Sequence, residues 1–239
     1  PNNVAEVVEP SLVARGIHVF SNASAFRRIA GIPLVIPEVN PEDMKSYDGH
    51  ACATNCTVVP VVTPMIGMKS LGIKSVTIRT RQALSGAGWK LLFDAEALSG
   101  NVNPFIPQEE EKLIAELKYL LGIDVPVIAS CNRVSERDGH FVSVGVELSR
   151  ETTVEEVEEL MKIPTLGLPS SPKLVNEIID DSPTRQEYLW NGRGMTTTVG
   201  NIRVEGNIVR YDALSHNTVR GAAGGVILLA EFAVQESYI

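Results

Sequence analysis

The chain has 239 residues and a formal net charge of −8, with 21 Lys and Arg residues against 29 Asp and Glu residues. Hydrophobic residues make up 44% and charged residues 21% of it, which is typical of a globular protein with a sizeable core and not of a disordered chain. The acidic charge argues against nucleic acid as a partner. The longest apolar run, residues 221–230, is shorter than the roughly 20 residues that cross a bilayer. We expect one or two domains and no membrane partner.

Cysteine usage and the N-terminal residues bear on the cellular compartment. The three cysteines, Cys52, Cys56 and Cys131, form an odd set without paired spacing, which favours a reducing compartment. The first residues are acidic and lack the basic and then apolar pattern of a signal peptide. We therefore expect a cytoplasmic protein. Because Pro1 opens a segment that already looks helical, we also expect an upstream portion.

The predicted elements alternate between helix and strand. Apolar spacing predicts a helix over 4–15 closed by Gly16, then a strand over 17–20. A helix that starts near Cys56 ends near Gly72, and a strand over 75–79 follows, with Val76 and Ile78 on one face. The later elements are a helix over 109–121 capped by Gly122, strands over 125–129 and 141–148, a helix over 152–161 capped by Thr152 or Thr153, a hairpin over 201–213, and a last helix from about 217. This order predicts an α/β protein.

Cys56 is the candidate nucleophile. It lies in the polar segment TNCT at the predicted start of a helix, where unpaired N–H groups and the helix dipole lower the pKa of a thiol. The alternative is a small buried thiol, which is the commoner role of a cysteine and the one that we assign to Cys52 and Cys131. The polar setting favours Cys56 as the reactive residue.

His140 is the candidate acid or base, because it ends a polar loop just before a strand. A lone histidine is more often a surface or hydrogen-bonded residue. Arg133 lies seven residues earlier and offers a bidentate fork for a carboxylate or phosphate. Together they would hold a small substrate between a guanidinium and an imidazole.

Other segments are ambiguous by themselves. The acidic start of the helix at Glu109 is explained by the helix dipole and a solvated face. The small residues of 85–88 suit either a ligand or a tight turn, and the helix start at Asn217 suits either an anion or close packing. The sequence has no zinc ligand pattern, Walker loop, nucleophile elbow or G-x-G-x-x-G after a strand, which removes support for those chemistries.

Seven segments taken together resemble a known family. In chain order they are SNASAFR, IPLVIPEVNPED, TNCT, RQALSGAG, EEEK, CNRVSERDGH and HNTVRGAAGG. They resemble the aspartate-semialdehyde dehydrogenase family of the archaeal and fungal type over essentially the whole chain. The specific features are a glutamine 26 residues after the cysteine, and the arginine and histidine seven residues apart. Family members are longer, and the resemblance implies that the absent part is the N-terminal portion of the nucleotide-binding domain with its Gly-rich loop.

The resemblance implies roles for eleven residues. Cys56 is implied as the nucleophile that forms a thioacyl enzyme, His140 as the acid/base catalyst, and Gln82 as a catalytic neighbour. The implied substrate contacts are Asn55, Arg133 for the α-carboxylate, and Glu109 for the amino group. The implied phosphate contacts are Arg27 and Lys112, and the implied contacts of the nicotinamide end of NADPH are Ser85, Gly86 and Asn217. No metal is implied.

The resemblance also implies an activity and a fold. The activity is NADPH-dependent reductive dephosphorylation of L-aspartyl-4-phosphate to L-aspartate-4-semialdehyde, and its reverse, in lysine, threonine and methionine biosynthesis. The fold is α/β: the C-terminal part of a Rossmann-type NAD(P)-binding domain in 1–50, an α+β catalytic and dimerisation domain of the glyceraldehyde-3-phosphate-dehydrogenase type with a mixed sheet in 51–215, and a C-terminal helix in 216–239 that returns to the first domain. The implied partners are a small-molecule substrate, phosphate, and further copies in a homodimer or homotetramer.

Other functions stay open at this point. Malonyl-CoA reductase of the same fold keeps the cysteine, the Arg/His pair and the small-residue loop. Glu109 and Lys112 argue against it, because malonyl-CoA has no amino group or phosphoryl group at its reacting end. N-acetylglutamyl-phosphate reductase is a more distant alternative. A hypothesis from another class is a non-catalytic dimerisation fragment.

Overall fold

The computed structural model describes residues 2–239 as alternating helices and strands. The helices are α1 (Asn2–Val13), α2 (Val59–Met65), α3 (Trp89–Leu92), α4 (Ala95–Leu98), α5 (Glu109–Leu121), α6 (Val154–Met161), α7 (Arg185–Tyr188) and α8 (Gly224–Gln235). The strands are β1 (Val19–Ser21), β2 (His50–Cys52), β3 (Ile73–Gln82), β4 (Val127–Arg133), β5 (His140–Leu148), β6 (Asn176–Ile178), β7 (Thr197–Glu205) and β8 (Ile208–Ser215).

The strands form two sheets. β1 and β2 pair in parallel as a small sheet, and the other six form one sheet in the order β4-β3-β5-β8-β7-β6. In the larger sheet β4 runs parallel to β3 and β6 parallel to β7, whereas the β3–β5, β5–β8 and β7–β8 pairs are antiparallel. The predicted mixed sheet is confirmed.

One face of the six-stranded sheet carries the main hydrophobic core. Val76 and Ile78 of β3 point to this face and are buried, as their alternation predicted. Side chains of α2, α5 and α6 complete the same core. The opposite face is polar and accessible, with Thr77, Arg79 and Arg210 among its residues. The two faces thus follow the rule for a sheet that is covered on one side.

Local sequence signals predicted several boundaries correctly. α5 has the predicted bounds, and Gly122 closes it in the left-handed conformation (φ 60°), which glycine adopts without steric cost. Thr153 caps α6, because its side chain accepts a hydrogen bond from the Glu156 N–H. The hairpin between β7 and β8 turns at Gly206. These features depend on neighbouring residues only.

Several predicted boundaries were wrong. The strand predicted over 75–79 runs from Ile73 to Gln82, and α8 begins at Gly224 and not near 217. β4 continues to Arg133, beyond the predicted end at 129, because it stays paired with β3 up to Gln82. α2 begins at Val59 and not near Cys56, with Pro60 in its first turn. A proline has no N–H group and fits a helix best in that first turn. Cys56 therefore lies in a turn that precedes the helix.

A second, smaller core joins the two ends of the chain. Leu228 and Phe232 of α8 pack with Met44 and with Ala51 of β2, so the C-terminal helix lies against the small sheet. The turn before α8, Val219–Ala223, has π-helical hydrogen bonding. The domain boundaries at residues 50 and 215 stay a prediction. Within residues 2–239, the helices are all too short or too polar to cross a membrane.

Candidate active site

A cavity of about 710 Å³ opens beside the turn that precedes α2. Its wall is built from the C-terminal ends of β3 and β4, the start of α5 and the segment before α8. Ten of the eleven predicted site residues line it, namely Arg27, Asn55, Cys56, Gln82, Ser85, Gly86, Glu109, Lys112, Arg133 and Asn217. The eleventh, His140, lies directly behind Cys56 and is fully buried. The fold therefore brings all of them to one place.

Cys56 and His140 are in direct contact. The Sγ atom of Cys56 lies 3.2 Å from Nε2 of His140, and the Ala83 N–H donates a hydrogen bond of 3.2 Å to Nδ1 on the other side of the ring. Burial lowers the pKa of His140 to about 3, and the nearby Arg133 and Arg185 act in the same direction. The imidazole is therefore neutral at neutral pH.

The thiol of Cys56 is not activated in this resting arrangement. Burial raises its pKa to about 11, and the carboxylate of Glu109 adds to the increase, whereas Arg27 opposes it. The expectation that a helix start lowers this pKa is wrong, since α2 begins three residues later and the thiol is desolvated beside a negative charge. The thiol is protonated at neutral pH.

Glu109, the first residue of α5, organises the polar groups around Cys56. Its Oε1 atom accepts hydrogen bonds from Asn55 Nδ2 at 3.0 Å, Thr57 Oγ1 at 3.1 Å and Gln82 Nε2 at 3.0 Å. One carboxylate oxygen thus joins the turn before α2 to the end of β3. The first turn of α5 does more than complement a helix dipole.

The small-residue turn packs on both His140 and Arg133. A Cβ atom added to Gly86 would lie 2.9 Å from Cε1 of His140 and 3.0 Å from Nη1 of Arg133, closer than non-bonded atoms pack. The same Nη1 donates a hydrogen bond of 2.6 Å to the Ala83 carbonyl. Glycine is needed at position 86 because the backbone approaches these two side chains.

Asn217 joins three segments at the edge of the cavity. Its Nδ2 donates to Ser85 Oγ at 2.9 Å, and its Oδ1 accepts the Gly139 N–H at 2.8 Å. The side chain is buried, so the residue positions the turn at Ser85 and the backbone before His140. No cluster of His, Cys, Asp or Glu within residues 2–239 has the arrangement of a metal site.

Two residues beside the site were not predicted from the sequence. Glu116 of α5 is 4% exposed and accepts hydrogen bonds from the Asn55 N–H at 2.6 Å and from Arg27 at 3.2 Å. Its signal was the spacing of seven residues from Glu109, which puts both on one helix face. Gly221 packs on Cys56, and a Cβ atom there would lie 2.5 Å from Cys56 Cβ. The only sequence signal of such close packing was the Gly-rich run 221–225.

Comparison with known proteins identifies the family of this chain. Residues 62–220 match the family described as semialdehyde dehydrogenase, dimerisation domain, and residues 1–47 match semialdehyde dehydrogenase, NAD binding domain. Over its full length the chain is 40% identical to the aspartate-semialdehyde dehydrogenase of Archaeoglobus fulgidus, of which it covers 76%. The chain therefore belongs to the aspartate-semialdehyde dehydrogenase family, whose members are oxidoreductases.

Two further comparisons bear on fold and function. The crystal structure of the Candida albicans aspartate-semialdehyde dehydrogenase with NADP matches with a TM-score of 0.81 and 30% identity, over 100% of this chain and 76% of that chain. The predicted α/β fold class is thereby confirmed. The NADP-dependent malonyl-CoA reductase of Metallosphaera sedula is less similar, at 28% identity over 100% of this chain and 76% of the relative.

Proposed function

We propose that this protein catalyses the NADPH-dependent reductive dephosphorylation of L-aspartyl-4-phosphate to L-aspartate-4-semialdehyde, and the reverse reaction. The observation that carries the proposal is the contact of Cys56 Sγ with His140 Nε2 at 3.2 Å, at the side of a cavity lined by Arg27, Lys112 and Arg133. Three cations suit a substrate with a carboxylate and a phosphoryl group. They also explain how an acidic protein binds an anion, since local charge decides.

The first half of the proposed reaction forms a bond to sulfur. Because Nδ1 accepts the Ala83 N–H, the neutral His140 ring carries its proton on Nε2 and donates a hydrogen bond to the sulfur. The thiol proton passes to solvent, and His140 stabilises the thiolate that forms. The Cys56 thiolate attacks the acyl carbon, the bond from that carbon to the phosphate oxygen breaks, and a thioester and free phosphate result. A substrate ammonium group paired with Glu109 would offset the negative charge that raises the pKa of Cys56. Binding of the substrate itself would thus assist deprotonation.

The charged residues have separate proposed roles. Arg133 holds the α-carboxylate, while its Nη1 stays anchored on the Ala83 carbonyl. Arg27 and Lys112 hold the phosphoryl group or the released phosphate. Glu109 faces the substrate's amino group. Its Oε1 orders the side chains around Cys56, so the carboxylate lies beside the reacting sulfur. Gln82 and Asn55 supply amide donors close to the acyl oxygen.

The cavity also suits a nicotinamide beside Cys56. Ser85 and Gly86 line it, and Asn217 holds Ser85 through its own amide, so these residues would hold the nicotinamide end. NADPH, when bound, supplies the hydride that reduces the thioester carbon. Hydride addition leaves an oxyanion on the acyl carbon, and the carbonyl re-forms as the carbon–sulfur bond breaks and the aldehyde leaves. The departing sulfur accepts the Nε2 hydrogen bond of His140 and regains its proton from solvent. The match of residues 1–47 to an NAD-binding domain and the NADP in the Candida albicans structure support this cofactor.

We also propose how the protein assembles and where it acts. The match to a dimerisation domain supports oligomerisation, and we propose a homodimer or homotetramer. The activity places the protein in the biosynthesis of lysine, threonine and methionine, in the cytoplasm. The domain division at residues 50 and 215 belongs to the same proposal.

An assay of the full-length protein that carries these residues tests the activity. NADP reduction with L-aspartate-4-semialdehyde and phosphate should exceed that with malonate semialdehyde and coenzyme A by about a thousandfold or more. Cys56→Ser should lower kcat by about a thousandfold, with Cys131→Ser as the control that retains turnover. Preference for the second substrate pair would support the malonyl-CoA reductase alternative instead. Absence of turnover with either pair would favour a non-catalytic dimerisation fragment.

A further inference from the structure

A buried carboxylate on α5 joins the proposed phosphate contact to the turn that carries the nucleophile. Glu116 is 4% exposed, and its two oxygens have different partners. Oε2 accepts the backbone N–H of Asn55 at 2.6 Å, and Oε1 accepts Nη1 of Arg27 at 3.2 Å. A carboxylate is the side chain that offers two acceptors and no donor for such a pair.

Two carboxylates of α5 bind Asn55, one at its backbone and one at its side chain. Glu116 binds the backbone N–H, and Glu109, two helical turns away, binds the side-chain amide at 3.0 Å. The backbone positions of the two residues are about 10 Å apart along the helix axis, and their side chains converge on Asn55, so a rigid element fixes both the position and the rotation of the residue before Cys56. A shift of this turn would move the sulfur atom.

Arg27 is held by Glu116 and by one backbone carbonyl. It lies in a segment without regular secondary structure, and its side chain is only 10% exposed. Its Nη2 donates to the Asn22 carbonyl at 2.8 Å. Among the residues that the structure describes, Glu116 is the one carboxylate paired with this guanidinium, and Nε of Arg27 has no hydrogen-bond partner there.

Glu116 lies on the side of Arg27 that faces away from the reacting groups. Arg27 lines both the catalytic cavity and a second cavity of about 450 Å³, whereas Glu116 lines the second cavity alone. The carboxylate therefore does not line the cavity proposed for the substrate. Any effect that it has on the reaction passes through Arg27 and Asn55.

We propose that Glu116 is a positioning residue whose two oxygens act separately, one holding Arg27 for phosphate and the other holding Asn55, and with it Cys56, for attack. This inference rests on the proposed function. In Glu116→Gln the one remaining acceptor oxygen still binds the Asn55 N–H. The new NH₂ group faces the guanidinium of Arg27, and two donors cannot form a hydrogen bond with each other. Arg27 is then displaced while the nucleophile stays in place. Glu116→Ala removes both contacts.

The test is the kinetics of Glu116→Gln and Glu116→Ala in the full-length protein, in the direction that consumes phosphate. Glu116→Gln should raise the KM for phosphate about tenfold, in keeping with the loss of a charge-assisted hydrogen bond, and change kcat by less than about threefold. Glu116→Ala should raise that KM similarly and also lower kcat about tenfold or more. Glu111→Gln, an exposed carboxylate on the same helix, is the matched control and should leave both constants unchanged.

A double-mutant cycle separates positioning from a general structural effect. If Glu116 acts on phosphate through Arg27, then Glu116→Gln should not raise the KM for phosphate further in an Arg27→Gln background. This comparison also serves if Glu116→Ala does not fold. An unchanged or lower KM in Glu116→Gln, or a kcat that falls as far as in Glu116→Ala, would overturn the proposal.

A measurement without turnover distinguishes this inference from the proposed function. Inorganic phosphate should protect Cys56 from alkylation by iodoacetamide, and the half-protecting concentration should rise about tenfold in Glu116→Gln but not in Glu111→Gln. If the wild-type protein shows this protection but no turnover, the proposed function fails and the positioning role stands. Equal protection in wild type and Glu116→Gln refutes the positioning role, whatever the activity.

Discussion

Gly221→Ala tests how closely the turn before α8 controls the position of the nucleophile. The added Cβ would lie 2.5 Å from Cβ and 2.7 Å from Cα of Cys56, whereas carbon atoms in contact are about 3.5–4.0 Å apart. Because the obstacle includes backbone, Cys56 or the turn must retreat by about 1 Å. A misplacement of about 1 Å costs about a hundredfold in rate, and the overpacking costs about 1–3 kcal/mol of stability.

Steady-state kinetics and thermal unfolding together check this expectation. kcat should fall about a hundredfold while the unfolding temperature falls by about 2–12 °C. Gly145→Ala on β5 is the matched control, because its nearest neighbour would be Thr77 Cβ at 3.9 Å, and it should keep full activity. A kcat for Gly221→Ala within about threefold of wild type would show that the contact does not set the position of the sulfur atom.

Three further predictions concern charge and packing around the pair. Glu109→Gln removes a carboxylate that raises the pKa of Cys56, so this pKa should fall from about 11. A pH titration of iodoacetamide labelling, read by peptide mass spectrometry, measures the pKa. An unchanged midpoint would contradict the effect of Glu109 on the thiol. Gly86→Ala pushes on His140 and Arg133 and should lower kcat/KM about ten- to a hundredfold, and near-normal kinetics would refute the close packing. The pKa of His140 is about 3 in the folded chain and 6.5 ordinarily. Between these pH values His140 is protonated in the unfolded chain but not in the folded chain. The free energy of unfolding therefore falls as the pH drops below about 6.5. Between about pH 6.5 and 5, urea unfolding should show wild type losing about 2 kcal/mol more than His140→Gln, and parallel losses would contradict it.

Short-range patterns in the sequence were enough for much of the local structure. The bounds of α5, a threonine cap on α6 and the hairpin within 201–213 were all predicted, because capping, periodicity and turn residues act over a few neighbouring positions. The order and spacing of TNCT, RQALSGAG and CNRVSERDGH were enough for the family. The residues predicted for the site also meet in one cavity, although their individual roles stay proposals.

The tertiary structure decided what depends on distant neighbours. The sequence placed Cys56 at a helix start and predicted a lowered pKa, but Pro60 delays the helix, and burial beside Glu109 raises the pKa instead. Desolvation and charge act through space, and Glu109 is brought to Cys56 by the packing of α5 and not by the chain. Glu116 and Gly221 were not predicted for the same reason, because packing brings them to Asn55 and Cys56 from distant parts of the chain. The sequence alone identified eleven groups that the fold brings together, and folding determined which of them touch, which further residues join them and therefore how each is charged.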